Sequence, residues 1–305
     1  MTTTADTSFG AVTQIDAGLL NVGYVDAGTA DAPAVVLLHG WPYDIHSYEV
    51  VTPLLVSAGY RVIVPHLRGY GSTRFKSDET VRNGQQSALA LDTIGLLDAL
   101  GIEKAVVAGF DWGARTAVIL GALWPERSSG IVSVSGYIVV NLEANQQPLT
   151  PKAELGWWYQ YYFATERGRR GYAENRREFN KLIWQIASPK WDFDDDTFER
   201  TAVSFDNPDH VDIVIHNYRW RLRLAEGEPQ YRDLEARLFE RPVITVPTVT
   251  IGSDFDGAAA DGRAYAEKFS GACSHRVLEG IGHNVPQEAP GAFTDAILEV
   301  GGGLP

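Results

Sequence analysis

Short apolar runs alternate with longer amphipathic stretches along the chain. Ala34-Val35-Val36-Leu37-Leu38 and Ala105-Val106-Val107-Ala108 are continuous apolar runs, the pattern of parallel strands buried on both faces. Arg61-Val62-Ile63-Val64-Pro65 and Ile131-Val132-Ser133-Val134-Ser135 read the same way. Residues 47–59, about 85–100 and 114–123 carry apolar residues at helical spacing. Strands that alternate with helices of this length predict a parallel sheet covered by helices on both faces. Residues 12–27 hold two short β-like runs separated by glycines, which predicts an antiparallel ribbon at the sheet edge. The threonine-rich start is expected to fray.

From about Gly136 to Arg241 the alternation stops. This stretch is helical in pattern and rich in Trp, Tyr and Arg, and it predicts a cap inserted into the sheet domain. Strand patterning resumes at Val243-Ile244 and at Pro247-Thr248-Val249-Thr250-Ile251. A helix near 259–269, a strand near 275–278, the turn Gly280-Ile281-Gly282-His283 and a helix from about Ala292 to Val300 follow. The expected organisation is a core over 1–135, a cap over 136–241 and the rest of the core over 242–305. Internal repeats, a phosphate loop and a dinucleotide fingerprint are absent from the sequence.

With 305 residues, 45% of them hydrophobic, the chain is long enough for one large α/β core plus an insertion. A formal charge of −13 argues against nucleic acid or anionic membranes as partners. It leaves a small-molecule substrate, with a homodimer as the self-association the reading admits. The single cysteine, Cys273, excludes an internal disulfide, and no histidine or acid is spaced with it in a thiol motif. With no basic-then-apolar leader and no apolar run of about 18 residues, the expectation is a cytoplasmic protein. The seven histidines are scattered without metal-ligand spacing, so no metal and no cofactor is expected.

Candidate chemistry centres on Gly109-Phe110-Asp111-Trp112-Gly113. A glycine on each side of Asp111, between a strand and a helix, fits the sharp turn that pushes a nucleophile out of the backbone. An ordinary turn with Asp111 as helix N-cap is the alternative. His39-Gly40-Trp41-Pro42 ends the strand at 34–38 and sets the Trp41 backbone N–H at the carboxyl edge of the sheet, where open α/β folds bind ligands. Asp111, then Asp254 or Asp256, then His283 each follow an apolar run.

That chain order resembles the α/β-hydrolases. His-Gly-Trp-Pro resembles their oxyanion loop, Arg68-Gly-Tyr-Gly a loop common among them, and Gly282-His283 with Gln287, Glu288 and Pro290 their histidine turn. The similarity runs from about residue 19 to 300. It implies an α/β-hydrolase fold with a helical cap, Asp111 as nucleophile, His283 as base and the N–H groups of Trp41 and Trp112 as oxyanion hole. His39 and Pro42 would lie beside the substrate. Counting from Pro247 favours Asp256 as the acid, Asp254 lies one alternation step away, and counting from Gly252 falls on Phe255.

A carboxylate, with an ordinary pKa of about 4, is already ionised and needs no base to attack. On an acyl carbon it would give an anhydride, whereas on an alkyl carbon it gives an ester, so the expected electrophile is an sp³ carbon bearing a leaving group. Trp158-Tyr159-Gln160-Tyr161-Tyr162-Phe163 resembles the stretch of soluble epoxide hydrolases whose first tyrosine donates to the epoxide oxygen, which maps onto Tyr159. His216-Asn217-Tyr218-Arg219 resembles the segment of their second tyrosine, which maps onto Tyr218, while Tyr161 and Tyr162 are expected to pack in the cap. The resemblance implies opening of a neutral, fairly apolar epoxide.

Asp111 to Arg115 also resembles the elbow of fluoroacetate dehalogenases, in which the arginine holds the substrate carboxylate. The chain departs from them at Trp112 and Gln160, where an arginine and a halide-binding histidine are expected. An indole N–H of Trp41 or Trp112 could still receive a halide, and Arg115 could equally be a salt-bridged helix residue. A haloacid or haloalkane dehalogenase is therefore the alternative, and a non-catalytic ligand-binding protein of the same fold a second one.

Overall fold

The computed structural model describes residues 9–302, so the start expected to fray lies outside the described residues. These form one nine-stranded sheet: β1 (Val12–Ala17), β2 (Leu20–Ala27), β3 (Ala34–Leu38), β4 (Arg61–Pro65), β5 (Arg74–Phe75), β6 (Ala105–Gly109), β7 (Ser128–Val134), β8 (Thr248–Ser253) and β9 (Cys273–Leu278). The strand order is β1-β2-β4-β3-β6-β7-β8-β9, with β5 alongside β2. β2 pairs antiparallel with β1, β4 and β5, and the strands from β4 to β9 are parallel. The apolar runs are the central strands because only they can be covered on both faces; every residue of β6 is buried.

Helices α1 (Val51–Ser57), α2 (Gln86–Ala99) and α3 (Trp112–Leu123) lie among the first strands. Between β7 and β8 run α4 (Pro151–Gly156), α5 (Trp158–Ala164), α6 (Glu166–Ala187), α7 (Asp195–Ala202), α8 (His210–Arg221) and α9 (Arg232–Phe239), and this stretch holds no strand among the described residues. α10 (Val285–Glu288) and α11 (Pro290–Val300) close the chain. No helix among the described residues is long and apolar enough to cross a membrane.

Several expected elements differ. Val243-Ile244 forms no strand; Ile244 makes a single bridge to Phe269. The helix expected near 259–269 is replaced by two 3-10 segments, Asp254–Ala259 and Arg263–Lys268. Gly262, at φ 72° in the left-handed region, lies inside the expected span and stops a continuous helix. β7 begins at Ser128, earlier than the apolar run starts.

The register of β3 against β6, with Leu38 opposite Gly109, ends both strands at the same level. Consequently His39–Trp41 and Phe110–Trp112 emerge side by side at one sheet edge. The loop after β3 also anchors the helical segment above. Asp44, fully buried, accepts from the His46 backbone N–H at 2.9 Å, the His46 ring at 2.9 Å, Thr201 of α7 at 2.9 Å and Ser204 at 2.6 Å. Burial alone would raise its carboxyl, but the hydrogen bond and charge of His46 and the Ser204 hydroxyl hold it below the usual carboxylate range. Asp44→Ala is expected to destabilise the protein by about 3 kcal/mol in urea unfolding at neutral pH, because buried donors lose their acceptor. A carboxyl held low contributes stability above its unfolded value of about 4 and loses it as pH falls further, so the gap between the two proteins should close in acid.

Candidate active site

Asp111 stands between β6 and α3 at φ 51°, ψ −122°, a backbone conformation that non-glycine residues avoid. It holds the N-cap position of α3, yet its side chain makes no capping hydrogen bond. The carboxylate turns instead toward the edge of β3: Oδ1 accepts from the Trp41 backbone N–H at 2.8 Å. Two glycines make this approach possible. A Cβ on Gly40 would collide with the Asp111 side chain, and one on Gly113 would collide with the Leu38 carbonyl. Oδ2 lies 3.5 Å from Nε2 of His283. Burial raises the Asp111 carboxyl, but His283, the charge of Arg115 and the Trp112 backbone N–H outweigh it and hold the group below its ordinary value. Asp111 is thus an ionised carboxylate at neutral pH.

His283 is buried in the turn ahead of α10. Its backbone N–H donates to Ser188 Oγ at 2.9 Å, and Ser188 donates to Glu288 at 2.6 Å. Glu288 also accepts from the N–H groups of Gly282 at 2.6 Å and Asn284 at 3.0 Å. Ser188, nearly a hundred residues away at the C-terminal end of α6, gives no signal in the sequence; Glu288 shows only as part of the histidine turn.

Neither acid candidate meets the imidazole. Asp254 bonds Lys190 at 2.6 Å and the Gly280 N–H at 3.1 Å, while Asp256 accepts from the Ser253 N–H at 2.9 Å in a capping box. Nδ1 of His283 is buried without a hydrogen-bond partner. Phe255 lies between the two aspartates in sequence and packs its ring against the imidazole, with centroids 4.1 Å apart.

Tyr159 of α5 and Tyr218 of α8 come together over the site. Their rings are 5.3 Å apart, and each lies against the Trp41 ring, at 5.1 and 5.2 Å. Tyr159 lines the small cavity of about 30 Å³ that also touches Asp111, Trp41, Trp157, Phe255 and His283. Burial raises both phenols above their ordinary range, and the Asp111 charge pushes the same way, so both stay protonated at neutral pH.

Trp41 is fixed from the other side by a junction that sequence reading missed. Its indole N–H donates to the Tyr172 hydroxyl at 2.8 Å, which also meets His210 Nε2 at 2.8 Å and Asn180 Oδ1 at 3.1 Å. His210 in turn bonds the Gly69 carbonyl at 2.9 Å through Nδ1. Three segments, the loop after β3, α6 and α8, meet at one phenol. The Trp41 indole is therefore already engaged, whereas the Trp112 indole N–H is buried with no partner.

Other expected site residues do not line the cavity. His39 is fully buried, with Nδ1 on the Gly40 carbonyl at 3.1 Å and Nε2 accepting from the Leu67 N–H at 3.1 Å. Burial pulls it down to about 4, so it is a neutral bracket between two loops and does not face the cavity. The Pro42 carbonyl accepts from Trp184 of α6 at 2.8 Å, and Pro42 does not line the cavity either. Arg115 is buried and donates to the Ile138 carbonyl at 3.2 Å, with no ion-pair partner among the described residues. Gln160 lines a separate cavity of about 420 Å³ beside Trp157 and Arg221. Tyr161 is 53% exposed and bonds Glu154 rather than packing inward. Tyr172→Phe strands the Trp41 indole and the His210 ring, so chemical unfolding is expected to show a loss of about 2 kcal/mol.

The model of the α/β-hydrolase fold family matches residues 33–171. Epoxide hydrolase B of Mycobacterium tuberculosis is 28% identical over 89% of this chain and 92% of its own length. Epoxide hydrolase A of the same organism is 27% identical over 95% of this chain and 97% of its own. A crystal structure from Klebsiella pneumoniae, provisionally described as an epoxide hydrolase, is 54% identical and superposes with a TM-score of 0.94, covering 97% of this chain and 99% of that one.

Proposed function

This chain belongs to the α/β-hydrolase family as an epoxide hydrolase-like enzyme, and from that premise we propose that it opens a neutral, fairly apolar epoxide to a diol through an ester on Asp111. Residues 136–241 act as the cap over a core formed by the rest. Oδ2 of Asp111 attacks a ring carbon, the carbon–oxygen bond breaks, and a phenol proton from Tyr159 or Tyr218 passes to the departing oxygen. His283 Nε2 then takes a proton from a water that attacks the ester carbonyl. The oxyanion develops on the oxygen facing the Trp41 and Trp112 N–H groups, donors typically worth roughly 3 kcal/mol each. Collapse expels the alkoxide, which regains the proton held by His283, and the acid proton left on Asp111 restores the phenol.

One observation carries this reading. Trp41 holds Asp111 through its backbone N–H at 2.8 Å and packs its ring on both tyrosines at 5.1 and 5.2 Å, so nucleophile and proton donors share one support. A developing alkoxide needs O–H donors, whereas a halide leaves without a proton. Carbon–halogen cleavage is the second reading, favoured by the unpartnered indole N–H of Trp112 and the buried charge of Arg115. A ligand-binding role without turnover is the third; nothing in such a role calls for the strained backbone of Asp111.

Incubation with an epoxide panel and a haloacid panel, scored separately for diol and free halide, is expected to give diol. Halide release without diol supports the second reading, and saturable binding without either product the third. In heavy-oxygen water, the diol from a single turnover should carry one of Asp111's own oxygens; solvent label in that first diol overturns the ester. His283→Gln is expected to accumulate an alkyl-enzyme visible in intact-mass spectra. Tyr159→Phe and Tyr218→Phe should each slow ester formation by about 10²-fold in stopped-flow or quench experiments.

A further inference from the structure

We propose that Phe255 stands where a carboxylate would hold His283, so that this enzyme runs on an Asp111–His283 dyad and hydrolysis of the ester is its slow step. The proposal rests on the Asp111-ester reading above. Phe255 follows β8 at the same sheet edge as Asp111, and its ring lies 4.1 Å from the imidazole at an interplanar angle of 39°.

Among the described residues Asp111 is the one carboxylate within 4.0 Å of the His283 ring. Asp111 meets Nε2 at 3.5 Å from the elbow, and the rings of Phe110 and Tyr43 lie 5.9 Å away. On the α10 side Glu288 is occupied by Ser188, Gly282 and Asn284. After β8, Asp254 is held by Lys190 and Gly280, and Asp256 by the Ser253 N–H. Nδ1 is left buried and unpartnered.

Asp111 is therefore the carboxylate that His283 meets, and esterification neutralises it. When the imidazole takes the proton of the attacking water, the resulting cation forms in a half-closed apolar site without a counter-anion. Nothing fixes its tautomer either, a task that falls to the carboxylate in a full triad. Attack by Asp111 on substrate involves neither function. The missing carboxylate thus slows the second step and spares the first. Phe255 acts as a positioning residue that holds the imidazole by ring contact.

Phe255→Asp tests this, with Phe255→Asn as the uncharged control and a terminal aryl epoxide such as styrene oxide as probe. Rapid-quench intact-mass measurements should find the unmodified enzyme mostly alkylated during turnover. In Phe255→Asp the ester should decay about tenfold faster or more, with its formation rate changed less than twofold and the pH midpoint of ester decay moved upward. Phe255→Asn should not reproduce the gain. An unchanged decay rate and midpoint in Phe255→Asp, or an equal gain in Phe255→Asn, overturns the proposal. Proton NMR in the Asp111→Asn background supplies a readout independent of turnover. A downfield imidazole N–H signal appearing only when Phe255 is also Asp supports the dyad, and the same signal with Phe255 intact overturns it. Absence of any adduct or product with the unmodified enzyme would instead strike the Asp111-ester reading.

Discussion

A backbone N–H from one strand end held against a carboxylate from the next, Trp41 to Asp111 at 2.8 Å, is the contact on which the site depends. It exists because β3 and β6 are paired in a register that ends both at the same level. It also requires glycine at 40 and 113, since a Cβ at either position would enter space already filled by the Asp111 side chain or the Leu38 carbonyl. Burial of the carboxylate is outweighed by His283, the charge of Arg115 and the Trp112 backbone N–H, which lets it stay ionised at this spot.

The helical segment is tied to this point by buried polar groups. Tyr172 joins the Trp41 indole to His210 and Asn180, and Asp44 joins the loop after β3 to Thr201 and Ser204. Buried hydrogen bonds of this kind are costly to leave unmade, so they specify one seating of the helices over the sheet. That seating brings Tyr159 and Tyr218, from two different helices, onto the Trp41 ring. Both phenols and the Asp111 carboxylate are thus positioned by the same residue, the rings through its indole and the carboxylate through its backbone N–H.

The strands and the elbow were legible in the sequence because they are local: a run of Val, Leu and Ala, then two glycines around Asp111, carries its own physical explanation. His283 was legible from its turn, and Tyr159 and Tyr218 from the short segments around them. What stayed hidden depends on contacts across the fold. Asp254 and Asp256 sit at suitable distances along the chain, yet a lysine and a backbone N–H hold them away from the imidazole. His39 belongs to the motif but is spent on bracing two loops, and Tyr172 has no distinguishing neighbours in sequence. The helix expected near 259–269 failed for a local reason, a left-handed Gly262 within it whose conformation composition does not reveal.

The backbone of Asp111, at φ 51°, also bears on how such a chain changes over generations. A residue in this region costs of order 1–3 kcal/mol, and glycine would relieve most of it. Drift under selection for folding alone would therefore erode the carboxylate while making the protein sturdier. The role proposed for the side chain is what would offset that cost.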